Sequence, residues 1–194
     1  MNGWNGLAPC LRKLERGVRR EQRAESGRKE CREMPPANQL EIRRAQPEDA
    51  PEIAGVLHQA FVEFKPLYTE PGFAATALQP DQIIARMAEG PVWIALRGTT
   101  VLGTVAAVKK DSSVYIRGMG VLPAARGSGT GSRLLQQAED WARREGIFTL
   151  FLSTTPFLHA AIHLYEKSGF RRSERGSNDL FGTPLFTMEK IISK

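Results

Sequence analysis

The feature that most constrains this chain is a junction at residues 126–131, Arg126-Gly127-Ser128-Gly129-Thr130-Gly131, lying between an apolar strand and an amphipathic helix. Residues 114–122 read as the strand, which Pro123 ends because proline cannot donate to a sheet ladder. Downstream, Leu134, Leu135, Ala138, Trp141 and Ala142 recur at helical spacing, so 131–145 reads as a helix with one buried face. Glycines at 127, 129 and 131 leave the backbone N–H groups of the turn uncovered. Those groups and the helix dipole together form a seat for an anion such as phosphate.

A flexible linker fits the Gly/Ser content but not the placement, since linkers join domains rather than a strand and an adjacent helix. A nucleotide loop of the GxxxxGK[ST] type needs a lysine after its last glycine, where Ser132 and Arg133 stand. The dinucleotide pattern GxGxxG fails because Ser132 occupies the third position after Gly129.

The stretch resembles instead the acetyl-coenzyme A signature of the GCN5-related N-acetyltransferase (GNAT) superfamily, [R/Q]-x-x-G-x-[G/A] after a strand ending in V-x-P. Here Val121-Leu122-Pro123 precedes Arg126 and the glycine turn. A second block, Ala161-Ile162-His163-Leu164-Tyr165-Glu166-Lys167-Ser168-Gly169-Phe170, is similar to the family's A-I-x-L-Y-E-K-x-G-F element and follows in the right order. The resemblance spans about residues 40–190.

The 194 residues suffice for one domain with a full core and are too few for two ordinary ones. Apolar content of 41% and charged content of 25% are those of a globular protein, and no apolar run approaches the roughly 20 residues of a membrane span, so no membrane partner is expected. The net charge of +6 would suit nucleic acid, but residues 1–38 hold nine of the Lys+Arg and five of the acids. That leaves the rest near neutrality and makes nucleic acid an unlikely partner. Both cysteines, Cys10 and Cys31, lie in the same leader, which excludes a disulfide framework or a cysteine metal site in residues 39–194. No metal is expected; the expected location is cytoplasmic.

Residues 1–38 read as a basic appendage, disordered or partly helical, and 39–194 as the catalytic domain. Met34, just before Pro35-Pro36, is a candidate true start, and deletion of 1–33 is expected to leave activity and melting temperature nearly unchanged. Along the domain the reading is a strand at 39–44, a helix from Pro47 to near Phe64, a short helix from Pro80 through Met87, a hairpin at 92–109, the 114–122 strand, the 131–145 helix, a buried strand at 148–152, a helix at about 158–168, and strands at 170–174 and 185–191. Residues 65–79, with Leu67, Tyr68 and Phe73 among prolines and glycine, read as neither strand nor helix; they either fold back on the core or line a pocket. The order βααβββαβαββ gives an α/β or α+β mixed sheet. The resemblance selects the GNAT fold, a central mixed sheet of six to seven strands flanked by about four helices, with the 114–122 and 148–152 strands splayed to admit the cofactor arm.

The resemblance further implies acetyl-coenzyme A (acetyl-CoA) as co-substrate. Backbone N–H groups across Arg126, Gly127, Ser128, Gly129, Thr130 and Gly131, with the Arg126 side chain, would meet the pyrophosphate. Backbone groups of Met119 and Val121 would pair with pantetheine as an added strand, with Val121 N–H as oxyanion donor. Tyr165 matches the tyrosine that protonates the departing thiolate; without the motif it would read as packing. Many members carry a glutamate base on the fourth strand, but here that strand reads Val114-Tyr115-Ile116-Arg117-Gly118-Met119, and Arg117 cannot be a base. Glu63, Glu70 and His159 are candidates by position only. Leu158 stands where an asparagine is often found.

The expected function is acetyl transfer from acetyl-CoA to a primary amine of a small molecule or protein, by direct attack in a ternary complex. The alternative is a catalytically silent acyl-CoA-binding sensor or interaction module. A homodimer is compatible with either, and the acceptor amine stays open.

Overall fold

A computed structural model describes residues 39–174 and 179–193. The expected appendage at 1–38, with both cysteines and Met34, lies outside the described residues.

The elements, in chain order, are β1 (Leu40–Arg44), α1 (Ala50–Phe61), α2 (Glu70–Thr76), α3 (Pro80–Glu89), β2 (Val92–Arg97), β3 (Thr100–Lys110), β4 (Ser113–Val121), α4 (Thr130–Arg144), β5 (Thr149–Thr154), α5 (His159–Lys167), β6 (Arg171–Ser173), β7 (Asp179–Leu180), β8 (Thr183–Pro184) and β9 (Phe186–Ile191). Seven strands form one mixed sheet in the order β1-β2-β3-β4-β5-β9-β6, in which β4 and β5 run parallel and the remaining neighbours antiparallel. Among the described residues the expected mixed sheet of six to seven strands is therefore present, with five α-helices rather than about four. Among the described residues no helix is long and apolar enough to cross a membrane.

The extra helix is α2, inside the stretch expected to be irregular. Pro71 looks like a breaker in sequence, but it occupies the first turn, where its missing N–H has no intrahelical partner to lose. Thr69 caps that turn by accepting from Gly72 N at 3.2 Å. The Thr69 hydroxyl also donates to Phe181 O at 2.8 Å, and Thr69 N donates to Thr183 Oγ1 at 2.9 Å. The segment is thus fastened to the small β7–β8 hairpin, a contact between residues distant in sequence.

Apolar clusters cover both faces of the sheet, which explains why β2 is buried from Val92 to Leu96 rather than alternating. Trp93 and Ala95 join Val105, Val114, Ile116, Leu134, Leu135, Leu150 and Phe170 on one face. Val92, Ile94 and Leu96 join Ile53, Val56, Leu57 and Ile83 on the other.

The site depends on what happens midway along β4. Pairing to β5 covers Ser113 to Ile116 against Thr149 to Leu152 and then stops, so the two strands part. On the other edge the β3 register slips between Thr104 and Ala106, inserting one extra β4 residue where Gly118 takes φ 55°. The bulge inverts which face the side chains address. Before it, Val114 and Ile116 join the α4-side cluster; after it, Met119 and Val121 do, while a Cβ on Gly120 would meet Leu57 and Ala60 of α1.

Candidate active site

Two cavities open where β4 and β5 part. The first, about 400 Å³, lies between the glycine turn, the end of β4 and α5, and is bordered by Met119, Val121, Arg126, Gly127, Gly129, Gly131, Ser132 and Tyr165 among others. The second, about 210 Å³, lies between β4, α2, α3 and the β7–β8 hairpin, and is bordered by Tyr68, Arg86, Tyr115, Arg117, Thr155 and Tyr165 among others. Phe61, Met119, Leu158, Ala161 and Tyr165 border both, so the cavities meet at these side chains.

The glycine turn enters α4 with Gly127 at φ 77° and Gly129, the residue before the helix, at φ 83°. Both sit in the left-handed region that glycine adopts without penalty. A Cβ on either would meet nothing within 4 Å, so both backbones face open space. The residues present therefore fit a phosphate-bearing ligand: bare backbone, a helix N-terminus and an adjoining cavity. Gly131 also borders the cavity and has a packing role besides. A Cβ there would approach Leu164 Cδ2 to 2.9 Å, so its absence lets α5 close against α4.

Ser128 and Thr130 do not border the cavity with their side chains. Ser128 Oγ donates to Ala125 O at 2.6 Å, and the buried Thr130 hydroxyl lies 2.9 Å from Ser128 Oγ. With the single Ser128 proton committed, Thr130 is the donor of that second bond. Their hydroxyls brace the turn, which leaves their backbone N–H groups as what they can offer a ligand. Arg126 borders the cavity, but its guanidinium is ion-paired with Glu63, donates to Ala60 O at 2.9 Å and lies over the Phe64 ring.

Along β4, Leu122 N donates to Leu102 O at 2.8 Å, and Val121 faces Gly103. Because successive backbone groups in a strand point to opposite edges, Val121 N–H faces away from β3, into the gap left by β5. Tyr165, 7% exposed, directs its hydroxyl at Met119 Sδ, 3.8 Å away. Burial, reinforced by the nearby Tyr68 and Tyr115 phenols, pushes its pKa above the ordinary tyrosine value, so the group keeps its proton.

The positional base candidates do not converge. Glu63 is paired with Arg126, while Glu70 and His159 are exposed and border neither cavity. Leu158, in the place of the expected asparagine, puts an apolar side chain on both cavities. Sequence reasoning did not single out Arg86, Tyr115 or Thr155 as site residues. The available signal was Arg117 itself, a cation within an otherwise apolar central strand, and the glycine beside it.

A bare-backbone turn leading into a helix beside two parting parallel strands puts an anion seat next to an open strand edge. The chain belongs to the acetyltransferase (GNAT) family, whose model matches residues 56–170. It is 38% identical over 103 residues to an IAA acetyltransferase of Azospirillum brasilense, covering 51% of this chain and 66% of that one. It is 30% identical over 135 residues to an uncharacterized N-acetyltransferase, YjgM, of Escherichia coli K12, covering 66% of this chain and 80% of that one. Among solved structures, the PaiA N-acetyltransferase of Thermoplasma acidophilum in complex with coenzyme A superposes with TM-score 0.68 at 18% identity, covering 79% of this chain and 99% of that one. YncA of Salmonella typhimurium with acetyl-CoA gives 0.62 at 23% identity, over 81% and 96%.

Proposed function

We propose that the protein transfers the acetyl group of acetyl-CoA to a primary amine by direct attack in a ternary complex. The observation that carries this reading is that a cradle-bearing cavity and a second cavity meet at Tyr165 and Met119. A thioester held in the first would present its carbonyl to an amine entering by the second.

Acetyl-CoA would supply the activated acyl group. Gly127, Gly129 and the first N–H groups of α4 would hold its diphosphate, and the open edge of β4 at Met119 and Val121 would align its amide-bearing arm. That the PaiA and YncA structures contain coenzyme A and acetyl-CoA supports the choice of ligand. Val121 N–H would stabilise charge developing on the acetyl oxygen. The amine nitrogen forms a bond to the acyl carbon, the carbon–sulfur bond breaks, and Tyr165 gives its proton to the sulfur and regains one from solvent. The proton lost by the amine passes to solvent, since neither cavity is bordered by a carboxylate and the acceptor cavity by no histidine among the described residues.

The test is release of free thiol from acetyl-CoA across a panel of small amines, amino acids and peptides. Turnover with at least one class is expected. Saturable binding of acetyl-CoA with no turnover by any class would replace the enzyme with a silent binding module.

A further inference from the structure

The second cavity is lined by two guanidinium groups, Arg117 and Arg86, and among the described residues one carboxylate, Glu89, reaches them. Arg117 projects from β4 and is 16% exposed; its Nη2 lies 2.8 Å from Glu89 Oε2. That contact is close but misaligned, because Arg117 Nε and Nη2 are both sealed from solvent and make no hydrogen bond. Arg86, from α3, reaches Ala75 O at 3.5 Å, the far limit of a bond, and also borders the cavity. Among the described residues the carboxylate that reaches these cations is Glu89, itself 48% exposed. A buried charge without a full partner is costly, and two like charges facing one cavity compound the cost. Burial and the neighbouring Arg117 accordingly push the Arg86 pKa below its ordinary value. Thr155, buried, borders the same cavity beside the Tyr68 phenol.

We propose that the acceptor is a small amine carrying a carboxylate, and that Arg117 with Arg86 holds that carboxylate in the second cavity while the amine faces Tyr165. The proposal rests on the acyl-transfer reading above and names the substrate class for it. A carboxylate offers two oxygens in the plane of a guanidinium, so it can accept charge-assisted bonds from the Arg117 and Arg86 groups that line the cavity. It also supplies the missing negative charge.

The rest of the wall fits a molecule of amino-acid size. At about 210 Å³ the cavity is smaller than a typical drug-sized site. Tyr68, Leu180 of the hairpin and Leu185 just beyond it border the cavity, which suits a compact ligand with an apolar portion. Tyr115, stacked on Phe151 at 4.9 Å, gives one side a rigid aromatic face. The bulge at Gly118 makes the arrangement possible: a Cβ there would press to 3.2 Å on Arg86 Nη1. A basic polyamine fits poorly, because its second cation would face two guanidinium groups.

Calorimetric titration of the full chain, in the presence of coenzyme A, with the standard L-amino acids and their carboxamides tests this directly. At least one amino acid is expected to bind about 10- to 100-fold more tightly than its carboxamide, the range for a charge-assisted hydrogen-bonded pair. Arg117→Gln should erase that preference and Arg117→Lys should keep part of it, as charge without the fork. Arg86→Gln, on a helix rather than within the sheet, should narrow the preference and keeps the question answerable if Arg117→Gln does not fold. Carboxamides binding as tightly as the acids, no binding by any acid, or a preference that survives both glutamine variants would overturn the proposal. Thiol release from acetyl-CoA, followed in the same samples, reports separately on acyl transfer: its absence beside a clear carboxylate preference would strike the enzyme reading and leave the ligand class standing.

Discussion

Tyr165 keeps a proton that an exposed phenol would begin to lose near pH 10, because burial disfavours the phenolate and the Tyr68 and Tyr115 phenols add to that effect. A donor of this kind is needed only when the thiolate leaves. Tyr165→Phe is therefore expected to lower turnover well over tenfold while cofactor affinity, measured by direct titration, changes little; unchanged turnover would remove the acid role. Gly129 allows the opposite separation. An alanine there meets no neighbour but is held at φ 83°, which costs about 1–2 kcal/mol, and its methyl enters the cradle. A small fall in melting temperature with a more than tenfold fall in acetyl-CoA affinity is expected, and full affinity would show that the cradle is not the phosphate seat. These residues were legible because a left-handed glycine turn and a motif tyrosine have local signatures. Arg86 was not, since a lone arginine on a short amphipathic helix looks like any solvated cation until the fold brings Arg117 beside it.

Elements with a regular hydrophobic period or a continuous apolar run could be read from the chain, as α4 on the one hand and β2 and β3 on the other illustrate, while those set by distant contacts could not. The α2 helix exists because Thr69 finds Phe181 and Thr183, and no local pattern foretells that. The β4 bulge was hidden for a related reason: a strict two-residue alternation carries Arg117, Met119 and Val121 on one face, whereas the extra residue sends Arg117 to one side and the other two to the opposite side. At the entry to α1, Asp49 accepts from Arg43 through both oxygens at 2.7 Å and from Gln46 N at 2.7 Å. The Arg43 contact holds the Asp49 carboxyl below its ordinary pKa. Its contribution to stability is thus complete above the unfolded value of about 3.9 and is lost as pH falls through the depressed folded value. Asp49→Asn should cost about 1 kcal/mol at pH 7, a modest figure because Arg43 is 39% exposed and screened. In urea melts the gap between variant and parent should close as the pH is lowered below 4; a gap that stays constant would show that shape and not charge holds this corner.

On the scale of the molecule, the central event is the parting of two parallel strands, which makes one cavity on each side of Tyr165. On the proposed reading the second cavity, electropositive and with no carboxylate or histidine among its described lining residues, would solve the proton problem differently from a site with a glutamate base. An ammonium placed near Arg86 and Arg117 is destabilised by like charge, which lowers the pKa of the bound amine and favours the neutral, nucleophilic form. The pH dependence of acetyl transfer follows. With no carboxylate or histidine among the described residues lining the second cavity, kcat/KM should rise about tenfold per pH unit as the free-base fraction of the amine grows, and should level off near the pKa of the free acceptor amine. Acceptors of different basicity should shift that plateau in step with their own pKa values. Tyr165 imposes no alkaline fall before pH 10, because its raised pKa keeps it protonated there. A plateau fixed near pH 6 or 7 for every acceptor would instead report a group on the protein, and would return a histidine or carboxylate base to the mechanism.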